Sequence, residues 1–194
     1  MEKARRRKET GASIITGAYI IATHGSADRD GYGRCRPLVE YMYDVLNDAW
    51  KERSTLAPRA DDTLRSFHAR LTKPFGFGPF TAGQVVADMK HAAPLNDASD
   101  WHTFAISGPG SLKGLNFVCG RAITQRWREA DWHTTLLEVR KALLPSMPRQ
   151  LRNLDAQNVE HGLCELFKWQ RIQEGGRSKQ VFTVAQPNYF KEAN

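Results

Sequence analysis

The chain has 194 residues, enough for one domain with a substantial core, and 28 Lys and Arg against 21 Asp and Glu give it a formal net charge of +7. This balance suits a polyanionic partner, although a basic protein without one is the alternative. No apolar run approaches the ~18 residues of a membrane span, so we expect no membrane partner. The three cysteines form no C-x-x-C pair, which argues against a zinc ribbon or disulfide framework and favours a cytoplasmic location.

The first residues, MEKARRRKE, are basic with no apolar stretch behind them, so we expect a disordered basic arm over residues 1–12 and not a secretory signal. The remaining residues, 13–194, are predicted to form a single domain. Ser13–Ala22 and Val181–Val184 are β-branched and favour short extended segments, and the glycine-rich stretch His24–Arg36 favours a loop. Pro37 then opens a predicted helix that reaches about Arg53.

Residues 64–90 are predicted to form a helix, a glycine hairpin and a second helix. The first helix shows helical spacing of its apolar residues, and Asp61 or Asp62 is a candidate cap. Gly76-Phe77-Gly78 makes the turn, and Pro79 suits the first turn of the second helix. Uncovered N–H groups at such a helix start favour a phosphate, although plain helix packing is the alternative. The apolar positions are Leu64, Phe67, His68 and Leu71, then Ala82, Val85, Val86 and Met89.

The stretch from Ser107 to Asn116, SGPGSLKGLN, contains three glycines and a proline in ten residues, a composition that predicts a loop and not a regular helix. Hydrogen-bond donors at close range suggest a loop built around an anion, and a simple connecting turn is the alternative. No Gly-Lys-Ser/Thr sequence closes the loop, so it is not a nucleotide-binding P-loop. The donors are Ser107, Ser111, Lys113 and Asn116.

Two long helices are predicted in the last third of the chain. The first runs from Ile123 to Leu144 and ends before Pro145, and the second runs from Leu151 to Gln173. Four polar residues of the second helix recur at three- and four-residue steps and share a face, for which a solvated surface is the default explanation. These residues are Asn158, His161, Glu165 and Lys168.

Beyond these patterns, Gly76, Gly78, Thr81 and Ala82 match a G-x-G-x-x-T-A pattern that resembles the helix-hairpin-helix element of the DNA glycosylase superfamily. TGAYI, GFGPFTAGQVVADMK, DWHTFAISGPGSLKGLN and DAQNVEHGLCELFKW together resemble the α-glutamyl/putrescinyl-thymine pyrophosphorylases of phage thymine hypermodification. That family is related to the helical domain of 5-hydroxymethyluracil DNA kinases. The resemblance spans Ser13 to Arg171 and implies an all-α, glycosylase-like helical fold with short extended N- and C-terminal segments.

The resemblance also implies an activity on double-stranded DNA that carries a modified thymine. The enzyme would be a transferase that replaces the pyrophosphate of 5-pyrophosphoryloxymethyl-deoxyuridine with an amine, such as that of an amino acid. We expect a monomer in the cytoplasm of a phage host cell, with no cofactor; a divalent metal such as Mg is compatible but not indicated. A monofunctional DNA glycosylase and a non-catalytic helical partner of a base kinase are the alternatives. Phe80 occupies the position of the lysine nucleophile in bifunctional glycosylases, so we expect no strand cleavage.

The implied chemistry assigns roles to individual residues. A carboxylate must deprotonate the amine, and Asp100 is the first candidate, with Asp97 also in the expected window and Glu165 second. Lys168 is a candidate for binding the carboxylate of an amino acid, or for pairing with Glu165. The expected pyrophosphate ligands are Ser107, Gly108, Gly110, Ser111, Lys113 and Asn116, with Trp101 beside a flipped base and Gln157 and Asn158 at its edge. The expected DNA contacts are Gly76, Phe77, Gly78 and Thr81, and no metal ligand is predicted.

Overall fold

The computed structural model describes residues 2–12 and 38–176, and every regular element within them is a helix, which confirms the all-α prediction. The predicted extended segments and the glycine-rich loop after Ala22 lie outside these residues. Among the described residues, no helix is long and apolar enough to cross a membrane. The α-helices are α1 (Glu2–Glu9), α2 (Leu38–Lys51), α3 (Arg53–Leu56), α4 (Leu64–Leu71), α5 (Pro79–Met89), α6 (Pro109–Val118), α7 (Glu129–Leu143) and α8 (Ala156–Gln173), and short 3-10 helices lie at Leu95–Asp97, Leu144–Ser146 and Arg149–Leu151.

The chain divides into two compact units, Met1–Ile106 and Ser107–Asn194. In the first unit, the stretch predicted as a disordered arm contains helix α1. Its sequence, EKARRRKE, consists almost entirely of strong helix formers. Arg6 pairs with Glu2 at 2.5 Å one turn away, and Arg5 donates to Glu40 of α2 at 3.1 Å. Local ion pairs and helix propensity therefore stabilise α1, and the predicted boundary of an arm at residue 12 stays a prediction.

Helices α4 and α5 form the predicted pair around the glycine turn. The expected apolar face of α4 is buried, and Ala82 and Val86 of α5 are completely buried against it, in a core that also contains Leu95 and Phe104. Pro79 occupies the first turn of α5, as predicted. His68 braces the pair, because its Nε2 donates to the Pro79 carbonyl oxygen at 2.8 Å. The helix–turn–helix order is thus present, and membership of the helix-hairpin-helix superfamily stays a prediction.

The cap of α4 differs from the prediction. Thr63, and not Asp61 or Asp62, caps the helix, and its hydroxyl oxygen accepts from the Ser66 N–H at 3.0 Å. Asp62 is buried and forms an ion pair with Arg70. An aspartate beside a helix start could serve either purpose, and the guanidinium of Arg70 two turns along the helix decides between them.

In the second unit, the predicted loop at 107–116 is wrong, because most of it forms helix α6. Pro109 stands in the first turn, where its missing N–H costs nothing. The glycines serve close packing against α8: a Cβ at Gly110 would overlap the Cys164 sulfur, and a Cβ at Gly114 would overlap the Leu163 carbonyl oxygen. The glycines of this stretch therefore allow two helices to pack closely. Their number alone favours an irregular backbone, which is why the sequence predicts a loop.

The next helix also begins later than predicted, at Glu129 and not near Ile123. The buried side chain of Asn116 holds the intervening segment, since its Nδ2 donates to the Ile123 carbonyl at 3.2 Å and to the Gln125 carbonyl at 2.8 Å. Its Oδ1 accepts from the Trp127 indole at 2.7 Å. Similarly, α8 begins at Ala156 and not at Leu151, because Asp155 and Asn158 form a reciprocal capping box at its start.

Candidate functional site

The N-terminal turn of α6 is held by a buried hydroxyl. The Gly108 N–H donates to the Ser111 Oγ at 2.9 Å, and that hydroxyl donates back to the Gly108 carbonyl at 3.1 Å. Ser111 is completely buried. These two hydrogen bonds close the turn, and the Ser111 hydroxyl lies in the interior of the second unit.

Glu129, the first residue of α7, binds the residue that precedes this turn. Its Oε1 accepts from the Ser107 N–H at 2.9 Å, and its Oε2 accepts from the Ser107 hydroxyl at 2.5 Å. Acidic residues are favourable in the first turn of a helix, which suits Glu129 to this position. The contact connects the start of α7 to the start of α6 and places a carboxylate beside the α6 turn.

Helix α8 adds a polar cluster at the same place. Gln157 and Glu160 are buried, with 3% and 2% of their surface exposed. The Gln157 Nε2 donates to the Glu160 Oε2 at 3.0 Å and lies 3.2 Å from the Nε2 of His161. The same Nε2 of His161 lies 3.5 Å from the Glu160 carboxylate, and this histidine is half exposed. A buried carboxylate is thus connected to the surface through one imidazole ring.

The pKa of Glu160 is raised above its ordinary value of 4.5. Burial is the main cause, because desolvation disfavours the ionised form, and the negative charge of Glu129 acts in the same direction. The polar Ser111 hydroxyl and the charge of His161 partly oppose the shift. Glu160 is therefore a stronger proton acceptor, when ionised, than an ordinary surface carboxylate.

The sequence reasoning missed Glu160 and Glu129. A signal for Glu160 is present, since it lies one turn from Ala156 and from Leu163, on the apolar face of α8 that also contains Val159. A carboxylate on a face that the periodicity assigns to the core is either paired or functional. Glu129 carries no comparable signal, because acidic residues are common at helix starts.

Gln157 is the predicted site residue that this cluster contains, together with Ser107, Gly108 and Ser111 of the turn. Gly110 instead packs against Cys164, and Asn116 and Asn158 hold the loop and the helix start described above. The Lys113 ammonium lies 5.1 Å from the centre of the Phe167 ring, and the exposed Lys168 and Glu165 pair with each other at 2.5 Å. Roles in binding substrate for these residues stay predictions.

The first unit contains the remaining candidates. Both carboxylate oxygens of Asp100 are occupied at the start of α4, where they accept from the Leu64 N–H at 2.7 Å and the Arg65 N–H at 3.0 Å. The Trp101 indole donates to the Lys90 carbonyl at 2.9 Å, and the Lys90 ammonium lies 4.3 Å from the centre of its ring. Asp97 is exposed in a 3-10 helix. Asp100 thus stabilises a helix start, and its catalytic role stays a prediction.

The glycine turn presents an open surface in the first unit. Gly76 has a φ of +81°, where other residues are strained, and a Cβ there would overlap the Val45 side chain. Gly78 has ordinary dihedrals and no heavy atom within 4 Å of an added Cβ. Gly78 and Thr81 are exposed and Phe77 is partly buried. Among the described residues, no group of three or more His, Cys, Asp or Glu side chains could hold a metal ion.

Fold and site together define a helical protein in which one buried carboxylate, that of Glu160, lies in a polar cluster with Gln157 and near the exposed Glu129. The chain matches the family model described as "5-hmdU DNA kinase, helical domain" over residues 2–178. The chain therefore belongs to the family of 5-hmdU DNA kinase helical domains. No curated protein and no solved structure matches it.

Proposed function

We propose that this protein is an enzyme of thymine hypermodification, which replaces the pyrophosphate of 5-pyrophosphoryloxymethyl-deoxyuridine in DNA with an amine. The observation that carries the proposal is the buried Glu160 carboxylate beside the α6 turn, with a raised pKa and a path to the surface through His161. Membership of a family named for a kinase of 5-hmdU in DNA supports the choice of substrate. The kinase class would supply the phosphorylated base on which this reaction depends.

Glu160 is the general base of the proposed reaction. An amine is protonated at neutral pH and cannot attack until a base accepts one of its protons. The nitrogen then forms a bond to the 5-methylene carbon, and the carbon–oxygen bond to pyrophosphate breaks, with the electron pair leaving on the pyrophosphate oxygen. The proton passes from the amine to Glu160 and from there through His161 to water. A carboxylate with a raised pKa suits this role because it holds the proton more firmly than an ordinary one.

The departing pyrophosphate is assigned to the second unit, to Lys113 and the backbone N–H groups of Gly110 and Ser111 in the first turn of α6. A helix start supplies partial positive charge for such an anion. Glu165 and Lys168 remain secondary candidates on the exposed face of α8, where they form an ion pair. Binding of the DNA phosphates is assigned to the glycine turn of the first unit, in which Gly78 leaves room for a close approach of the backbone.

The test is mass spectrometry of the nucleosides in DNA that contains pyrophosphorylated 5-hydroxymethyluracil, after incubation with the protein and a mixture of amino acids. The proposal expects a new nucleoside with the added mass of an amino acid, together with free pyrophosphate. Free base with abasic sites would contradict it and favour the monofunctional glycosylase.

A second candidate function is a non-catalytic DNA-binding module that works with a base kinase. The description of the matching family as the helical domain of a kinase favours this candidate specifically. It predicts unchanged DNA in the nucleoside assay, with DNA binding that weakens as the salt concentration rises. It also predicts that removal of the Glu160 carboxylate leaves kinase-dependent modification intact, whereas the transferase requires that carboxylate.

A further inference from the structure

We propose that Gln157 and Glu160 form a binding site for the ammonium group of an unhindered primary amine. The proposal rests on the proposed function, because it gives the amine donor a place beside the general base. Both residues are almost completely buried in α8. The class of ligand follows from the acceptor that has no hydrogen-bond partner and from the negative charge that has no full counter-ion.

The first observation is an unused acceptor. Among the described residues, the Oε1 of Gln157 is one of the buried side-chain atoms without a hydrogen-bond partner. The ionised Glu160 carboxylate sets the orientation of the amide, because the nitrogen end donates to it at 3.0 Å and the neutral His161 Nε2 accepts on the same side at 3.2 Å. The opposite orientation would place two acceptors in contact. The unpaired group is therefore an oxygen, and it needs an N–H or O–H donor.

The second observation is an excess of negative charge. Within the described part of the chain, the ion-pair partner of Glu160 is His161 at 3.5 Å, with no lysine or arginine in that position. The carboxylate of Glu129 adds a second negative charge nearby, and both of its oxygens accept hydrogen bonds from Ser107. Buried charge without a full counter-ion is costly, so a cation that enters the cluster is stabilised there.

The two observations together define the ligand. A primary ammonium carries one positive charge and three N–H donors, so it can donate to the Glu160 carboxylate and to the Gln157 Oε1 together. A neutral pyrimidine edge supplies one N–H between two carbonyl oxygens and would bring further acceptors to a cluster that already has too many. A quaternary ammonium has the charge but no donor, and it would leave the Gln157 oxygen unpaired. The site therefore selects a ligand by the number of its N–H donors as well as by its positive charge.

The geometry also connects binding to reaction. An ammonium held by Glu160 already contacts the base that must accept its proton, which removes the need to bring the two groups together in a later step. Gln157 is a positioning residue in this arrangement, since its amide nitrogen holds the carboxylate and its oxygen holds the amine. The half-exposed His161 gives the released proton a route to solvent.

The experiment is a titration of the full chain with ethylammonium chloride at pH 7, followed by NMR through the side-chain amide resonances of Gln157. Tetramethylammonium chloride at the same ionic strength is the matched ligand. The proposal expects saturable shifts with ethylammonium and none with tetramethylammonium. Equal responses to both ions, or no response to ethylammonium, would overturn it.

Variants assign the binding to the cluster. Backbone resonances near the cluster report binding in every variant, and each variant is first checked by circular dichroism. We expect Glu160→Gln and Gln157→Met each to raise the Kd for ethylammonium about tenfold or more, as expected for a lost hydrogen bond to a charged group. Glu138→Gln removes one charge from the exposed face of α7 and is the control, with an unchanged Kd. An unchanged Kd in either Gln157→Met or Glu160→Gln would overturn the proposal.

The outcome is separable from that of the proposed function. Binding that depends on Glu160 without any new nucleoside in the mass spectrometry assay would retain the ammonium site and contradict the transferase. If a new nucleoside forms but the Kd for the amine does not change when Gln157 or Glu160 is replaced, the transferase proposal stands and this binding site is contradicted.

Discussion

Two buried carboxylates, one in each unit, stand in opposite electrostatic environments. Asp62 in the first unit is paired with the Arg70 guanidinium and also accepts from the Arg59 N–H at 2.8 Å and the Ser66 hydroxyl at 2.9 Å. These contacts, with the Arg70 hydrogen bond as the largest cause, lower its pKa to about 2. Glu160 in the second unit has an amide and an imidazole in place of a guanidinium, and its pKa is raised.

The difference separates a structural carboxylate from a reactive one. A carboxylate that is satisfied as an anion stabilises the fold and has little tendency to accept a proton. A carboxylate that burial has left short of donors accepts a proton readily and reduces stability while it is ionised. Burial alone therefore does not identify a functional acid; the number of donors around it does.

The largest expected effect is on activity. Glu160→Gln preserves the shape of the side chain but removes the base, so we expect a loss of about 100-fold or more in the rate of amine incorporation. Asp62→Asn is the control in the other unit and should retain its rate when assayed below its melting temperature. Nucleoside mass spectrometry over a time course measures both. Equal rates for Glu160→Gln and the wild type would remove Glu160 from the mechanism.

The next effect is on stability. Asp62→Asn should lower the free energy of unfolding by about 2 kcal/mol at pH 7, because the ordinary pKa of 3.8 is lowered to about 2 by the fold. The pKa is lower in the folded state, so this stabilisation is present above pH 3.8 and is lost as the pH falls towards 2. Urea denaturation at several pH values measures it. Asp61→Asn, at the exposed neighbour, is the control, and an equal loss in both variants would contradict the pairing with Arg70.

A smaller effect is expected from Asp100. Asp100→Asn leaves one carbonyl oxygen where two oxygens accept from the start of α4, and should cost about 1 kcal/mol of stability. Asp97→Asn, in the exposed 3-10 helix, should be neutral in the same denaturation experiment. If Asp100→Asn instead remains as stable as the wild type and loses amine transfer, the aspartate implied by the glycosylase resemblance is the base.

We expect the contribution of Glu160 to stability to depend on pH in the opposite direction from that of Asp62. Because its pKa is higher in the folded state, the stabilising contribution of Glu160 should be largest below pH 4.5 and should be lost as the pH rises through the folded-state pKa. Glu160→Gln does not titrate, so its stability relative to the wild type should increase over that range. The titrating neighbours His161 and Glu129 are the same in both proteins. A difference that does not change with pH would contradict the raised pKa.

The smallest effect is expected at the glycine turn. Gly78→Ala introduces no steric strain, since the dihedrals are ordinary and the space is open, but Gly78 is the N-cap of α5, where Ala is less favourable than Gly, so the melting temperature should fall slightly. The methyl group would lie on the surface assigned to DNA phosphates and should weaken DNA affinity about threefold, or roughly 0.6 kcal/mol, with little sequence preference. Gly162→Ala, at a similarly open position on α8, is the control for fluorescence anisotropy titrations at several salt concentrations. Equal affinities would contradict DNA binding by the turn.

Features that depend on neighbours close in the sequence could be predicted, and features that depend on contacts between distant residues could not. The helices around the glycine turn and the position of Pro79 could be predicted, because apolar spacing and proline geometry are local properties. The helix α6 could not, because Gly110 and Gly114 are explained by Cys164 and Leu163, far away in the sequence. Asp62 is likewise a candidate cap by its position, but its pairing with Arg70 depends on a residue beyond the helix start.

The candidate site was only partly predictable for the same reason. Residues of the α6 turn and Gln157 are predicted from their chemistry; Glu160 neighbours both Ser111 and Gln157 in the second unit, and the roles of the predicted residues stay predictions. The place of Glu160 on the apolar face of α8 is readable from the sequence, but the polar residues predicted for the site lie on another face of the same helix. Glu129 depends on a contact with Ser107 between the starts of two helices, which no local pattern indicates.

The most direct test of the contrast between Asp62 and Glu160 is a pH titration of both side-chain carboxyl groups in one sample, followed by carbon-13 NMR. The account predicts that Asp62 titrates at about 2 and that Glu160 titrates above 4.5. A Glu160 that titrates at or below 4.5 would mean that the cluster satisfies the carboxylate as an anion, and both the general base and the ammonium site would then lose their physical basis.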